Sequence, residues 1–183
     1  MRIFNEVKFG GEPVMLAAWP GMGNVGLIAM DYLRRRLNAK PFAEIDMGPF
    51  FYPESIVVKH GLAHFPKVPS SVFHYTRDPD LIIFESNAQV NGHDAISLTK
   101  AVLDIVQHFN VARIFTAAAF AQSMSYRSES KVLAACTEPR LLEKIAEQGI
   151  TPMPDGYIAG LNGLLLGSAN ARSIQAGCFL GTI

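Results

Sequence analysis

The stretch covering residues 14–33, VMLAAWPGMGNVGLIAMDYL, leaves the backbone few options. The apolar run 14–19 is short and stops at Pro20-Gly21, so it reads as a buried strand ending in a turn. Residues 23–37 read as a helix. Val25, Ile28, Ala29, Tyr32 and Leu33 recur at the spacing of one face of a 3.6-residue period. Between the two lie Gly21, Gly23 and Gly26, spaced G-x-G-x-x-G, and Asp46 follows twenty positions after Gly26. That is the written form of a dinucleotide-binding βαβ unit.

The continuation does not fit such a unit, which needs a second crossover helix and a third strand. A second strand over residues 42–46 is followed by MGPFFYPES. Pro49, Pro53, Pro66 and Pro69 then punctuate short β-rich pieces, SIVVKHG and SSVFHYTR, with no helical period before Asp80. Hairpins or a meander are expected there. Pro20 also sits directly before the first glycine. No nicotinamide, flavin or other cofactor is therefore expected. The glycines read as a tight strand-to-helix turn, where φ > 0 and close packing are needed. The alternative is a small anion held at the helix N-terminus by Gly21, Gly23, Asn24 and Gly26.

Beyond residue 80 the text is of α/β type. DLIIFE is a buried strand. Residues 91–109 form the strongest helix, with Asn91 as its cap, Asp94 returning a bond, and Ile96, Thr99, Leu103, Val106 and Phe109 as its apolar stripe. A strand over 111–117, a strand over 131–137 and a helix over 138–148 follow, with Pro139 tolerated in the first turn. Residues 157–171, YIAGLNGLLLGSANA, allow a helix whose glycines approach a neighbour closely, and 173–180 close as an apolar strand. No repeat, low-complexity tract or linker interrupts the chain, so one α/β domain over 1–183 is expected.

Sixteen basic residues balance sixteen acidic ones, which leaves no electrostatic footprint for nucleic acid or an anionic membrane. The N-terminus lacks the apolar core of a signal peptide, and no run is long enough to span a bilayer. Cys136 and Cys178 stand alone, without ligand spacing, as two buried thiols of a reducing cytoplasm. Arg34, Arg35 and Arg36 end the first helix, where cations complement the dipole; an anion or partner site is the alternative.

The search for chemistry yields candidates by type only. His60, His64 and His74 with Glu54 could surround a metal, yet His60 and His64 flank a glycine in β-rich text and share no helical face, so no metal site is expected. His108 suits the C-terminal turn of its helix. Ser86, Ser123 and Ser125 lie outside G-x-S-x-G. Glu85, Ser86 and Asn87 follow a buried strand at the carboxyl edge, where open α/β sheets hold ligands, and the turn of residues 20–24 can share that edge. Spacing along the chain does not establish an acid/base or nucleophile/base pair in this crevice, so the reading leans away from an enzyme.

WPGMGNVGLIAMDYL with AEID after it resembles the N-terminal signature of the PAC2 family. DLIIFESNAQ, VARIFTAAAFAQSMSYRSESKVLAACTEPRLLEKI and GYIAGLNGLLLGSANARSIQAGCFLG resemble its later segments in the same order. The resemblance implies a mixed, twisted sheet flanked by helices, similar to the nucleoside phosphorylase and peptidyl-tRNA hydrolase folds. It implies self-association, as trimers or larger rings, and binding of protein chains as an assembly chaperone, with no established catalytic residues. Two features depart from it. Residues 123–130 replace a Thr/Pro-rich loop, and the chain stops where a further helix is usual, so the terminal apolar strand is expected to need a covering partner. The alternative function is a phosphorylase- or hydrolase-like enzyme, or a small-anion or nucleotide binder, using the crevice near Gly21, Asn24, Glu85 and Asn87.

Overall fold

The computed structural model describes residues 1–125 and 127–183. The chain opens with a two-residue strand, β1 (Arg2–Ile3), and then β2 (Val14–Ala18), which passes through a 3-10 turn (Met22–Asn24) into α1 (Val25–Arg36). There follow β3 (Lys40–Ile45), the short strands β4 (Val57–Lys59) and β5 (Leu62–His64), and the longer β6 (Ser71–Arg77) and β7 (Asp80–Ser86). The second half runs α2 (Gly92–His108), β8 (Arg113–Phe120), β9 (Val132–Cys136), α3 (Pro139–Ala146), β10 (Thr151–Pro152), α4 (Gly160–Asn170) and β11 (Gln175–Thr182).

Among the described residues one mixed sheet takes nine strands in the order β1-β3-β6-β7-β2-β8-β11-β9-β10. The centre, β7-β2-β8-β11, is parallel, with Val14 opposite both Leu81 and Arg113. Antiparallel strands flank it on both sides. β4 and β5 stand apart and pair only with each other. The expected meander is thus a free hairpin followed by a strand of the main sheet.

Alternation along the central strands sorts the core into two layers. Met15 and Ala17 of β2 and Trp19 just after it, with Ile82 and Phe84 of β7, face Leu98, Val102 and Ile105 of α2 and Leu161 and Leu165 of α4. Phe42, Phe73 and Phe84 are fully buried in this layer, each contributing about 1.5–3 kcal/mol. Ala18 and Ile83 face the other way, against Met30, Leu27 and Leu33 of α1. α3 covers the same side farther along, with Leu141 and Ile145 on Ala134, Phe115 and Phe179.

α1 and α2 end alike. Asn38 and Asn110 take the left-handed region, at φ 55 and 51. The next residues bond back, Ala39 N–H to the Arg34 carbonyl and Val111 N–H to that of Val106. This satisfies carbonyls the helix leaves open.

Three expectations are corrected. On α1, Ile28 and Tyr32 point to solvent, and the buried face runs through Gly26 and Met30. The cause is Gly26. A Cβ there would lie 2.0 Å from the Ala117 carbonyl oxygen of β8, so the helix backbone itself rests on the sheet and fixes the helix rotation. On α2, Ile96 is exposed, and Asn91 occupies the cap position without a side-chain cap bond. The terminal strand β11 lies inside the sheet between β8 and β9, and α4 packs on it. It needs no further cover, because the antiparallel return of β9 provides its second neighbour.

The three early glycines differ in role. Gly23 has φ 59, and Asn24 after it φ 50. Gly21 is extended, at φ −163, with nothing within 4 Å of an added Cβ. Gly26→Val is expected to destabilise the fold by about 1–3 kcal/mol or more through overpacking, while Gly21→Ala stays within about 0.5 kcal/mol. Urea unfolding of the two variants checks the contrast.

Candidate functional site

The structure separates the two halves of the sequence-predicted crevice. Glu85, Ser86 and Asn87 line a 450 Å³ cavity on the α1 side of the sheet, together with Asp31, Arg34 and His74. Gly21 lines a different cavity, of 430 Å³, with Gln89, Phe120 and Gly160. Gly23, Asn24 and Gly26 line neither.

Glu85 pairs in register with Ala18, and Val72 of β6 lies opposite it on the other side. Alternation therefore turns its carboxylate towards α1. Arg34 reaches it from the last turn of that helix, Nε to Oε2 at 2.6 Å, and also bonds Asp31. Arg35 pairs with Asp31 at 2.7 Å. The arginine run thus ties α1 to the sheet as well as complementing its dipole. Burial raises the Glu85 pKa, and the Arg34 guanidinium opposes that rise. His74 places Nδ1 3.7 Å from Glu85 Oε2. Burial, helped by the charge of Arg34, lowers its pKa to about 4. At neutral pH the arginine-held Glu85 lies beside an uncharged imidazole.

The remaining polar groups of this cavity are engaged with one another. Ser71 donates to Ser86 Oγ at 2.8 Å, and Ser86 donates to the Ala88 carbonyl. Ser70 N–H donates to Asn87 Oδ1, and Asn87 N–H returns a bond to the Ser70 carbonyl. Among the described residues Ser86 is thus bonded to a serine and a backbone carbonyl, and Glu85 is held by Arg34. The arrangement joins α1, β6 and β7; it does not present a nucleophile.

The other candidates lie apart. His60 sits in the hairpin turn at φ 50, His64 on β5 and His74 on β6. Among the described residues no group of three His, Cys, Asp or Glu side chains is placed to hold a metal. Ser123 and Ser125 line a cavity with Lys131 and Thr182. The loop 123–130 includes Tyr126, which lies outside the described residues. Cys136 lines a wide 710 Å³ depression beside α4, and burial raises its pKa, which keeps it a thiol. Cys178 is pushed up to about 11 by burial. Asp46 Oδ1 accepts from Gly48 N–H at 2.9 Å and shapes the turn after β3.

Sequence reasoning missed the most conspicuous surface. From Tyr52 to Val68 the chain exposes Tyr52, Ile56, Val58, Leu62, Phe65 and Val68, with Phe65 79% and Leu62 65% exposed. All six strand residues of β4 and β5 are exposed. The signal available was SIVVKHGLAHF itself: strand-forming residues with no following helix to cover them. Two further exposed apolar side chains, Ile28 and Tyr32, lie one turn apart on the outer side of α1, and Met22 is exposed in the turn before it. Among the described residues no helix is long and apolar enough to cross a membrane.

The model of the PAC2 family matches residues 15–183. Among solved structures, the chain is similar to Pyrococcus furiosus PbaB, an archaeal proteasome activator. The TM-score is 0.82 at 26% identity, and the match covers 100% of this chain and 79% of that one. It is also similar in fold to P. furiosus PbaA, an archaeal homolog of proteasome-assembly chaperone, with TM-score 0.79, 18% identity and coverage of 99% and 71%. A proteasome-assembly chaperone homologue of Mycobacterium tuberculosis gives 0.75, 17%, 93% and 75%. No curated protein matches the chain.

The cluster around Arg34 has a pH signature. Between pH 6.5 and about 4 the unfolded chain protonates His74 while the folded chain does not. Unfolding takes up a proton there, so the His74 contribution to stability is present above 6.5 and is lost as pH falls through that window. Glu85 acts in the opposite sense: its raised pKa makes the folded state bind a proton first, which favours folding as pH falls towards 4.5. Urea midpoints measured across this window are expected to fall less steeply for His74→Phe than for the unaltered chain.

Proposed function

The chain belongs to the PAC2 family, and from that premise we propose that it is a protein-binding assembly chaperone, acting as a single domain over residues 1–183 and without a cofactor. It works in the cytoplasm as a homo-oligomer of three or more copies. The client class is the one that PbaB and PbaA point to, a proteasome.

The observation that carries this reading is the exposed apolar hairpin. A two-stranded hairpin alone is marginal in water. One that also exposes a run of large apolar side chains marks an interface with another protein. The occupant is a second copy of the chain. Its formal net charge of zero opposes no such contact. Ile28 and Tyr32 on the outer side of α1 offer a second exposed apolar surface. An arm of one copy on the α1 face of the next is a heterologous contact, and such contacts close into rings when the rotation allows. The hairpin rim carries Glu54, Lys59 and Lys67, charges of both signs that suit a polar border around an apolar centre.

Light scattering after size exclusion is expected to give three or more copies for the unaltered chain. Phe65→Glu with Leu62→Glu, and separately Tyr32→Glu, are expected to give folded monomers with unchanged far-UV circular dichroism. A well-folded, strictly monomeric wild type at micromolar concentration overturns self-association. Native electrophoresis of proteasome subunits from the same organism, with and without the chain, tests the client; unchanged assembly overturns the chaperone role.

A further inference from the structure

The 430 Å³ cavity opens at the carboxyl ends of β2, β8 and β11, three parallel neighbours. Loops diverge at that edge of an open α/β sheet, and ligands collect there. Ala118, Phe120 and Leu180 form apolar walls. Among the described residues no Lys, Arg, Asp or Glu lines it.

Two polar features serve the cavity. The first is the start of α4, an eleven-residue helix whose cap residue, Ala159, has no side-chain acceptor. Its opening N–H groups carry the positive end of the helix dipole. Gln89 holds this end in place. Its Nε2 donates to the Pro20 carbonyl at 2.6 Å, and its Oε1 accepts from Leu161 N–H at 3.4 Å. Gly160, at φ +74, leaves room for that side chain. The second feature is Asn162. It lines the cavity and is 3% exposed, yet its Oδ1 is buried without a hydrogen-bond partner among the described residues. A buried amide left unpaired is destabilising, and each such group calls for an explanation. A ligand that donates to it supplies one.

We propose that this cavity binds the C-terminal residue of a peptide chain with a small apolar side chain. The carboxylate accepts from the first-turn N–H groups of α4 that Gln89 leaves open. The residue's own N–H donates to Asn162, and its side chain packs against Ala118, Phe120 and Leu180. A monoanion matches a helix end, which carries about half an elementary charge. A phosphate dianion would need a cation that the lining lacks. A free amino acid would bring an ammonium group that no carboxylate of the lining meets.

Nitrogen-15 NMR of the full chain tests this with N-acetyl-leucine as probe. Saturable shifts at Gly160, Leu161 and Gly163 amides and at the Asn162 side chain are expected, with binding at least about tenfold weaker for N-acetyl-leucinamide and for free leucine. Ala118→Leu, which narrows the cavity, is expected to abolish the response. Should that variant fail to fold, the probe series on the unaltered chain still decides. Absence of saturable shifts, or equal binding of the leucinamide, overturns the carboxylate site. Equal binding of free leucine overturns the peptide terminus as its occupant.

Discussion

The resting of α1 on β8 at Gly26 is the contact on which the rest of this structure depends. With no side chain between them, the helix backbone and the Ala117 carbonyl approach more closely than any Cβ permits. That approach sets the rotation of α1 about its axis. Met30 then meets Ala18 and Ile83, and Arg34 lands beside Glu85. The same rotation sends Ile28 and Tyr32 outward. One missing methyl group thus decides which half of an amphipathic helix becomes core and which becomes surface.

Arg34, Glu85 and His74 show how a charged group is accommodated in such a close layer. Burial alone drives Glu85 towards its neutral form and His74 away from its charged one. Arg34 stabilises the carboxylate against that burial and adds to it at His74, so one guanidinium opposes the effect of burial on the first group and reinforces it on the second. Removing only one partner of a pair like this leaves a half-buried charge without compensation, the costlier way to break it. The hydroxyl pair Ser71–Ser86 and the clasp of Ser70 with Asn87 complete a polar seam between β6 and β7. Glu85, Ser86 and Asn87, which looked like part of a crevice in the sequence, are bonded in the structure to Arg34, Ser71 and Ser70.

Much of the fold was legible from local pattern. Strand, proline, turn and helix across residues 14–36 appear as read, and so do the buried strands β7 and β8 and the long helix α2. The rotation of α1 was not legible, because apolar residues lie on both of its sides and periodicity cannot say which side meets a sheet. Nor could Gly21 be told from Gly26: the letters agree, but one sits in open space and the other against a carbonyl. Glu85 and Arg34 are 51 positions apart, so their pairing belongs to the topology. Asn162 carried no signal at all, since an asparagine without a partner is defined by its surroundings.

The two ends of the main sheet are also informative. β1 has two residues, and so does β10, where the second is Pro152. A proline lacks the N–H that a further strand would seek, and two residues make a poor template. Growth by strand addition is therefore capped at both margins. A protein with so much greasy surface elsewhere gains from this: the margins of its main sheet are two residues long, and the unpaired edges of its separate two-stranded sheet are only three residues each.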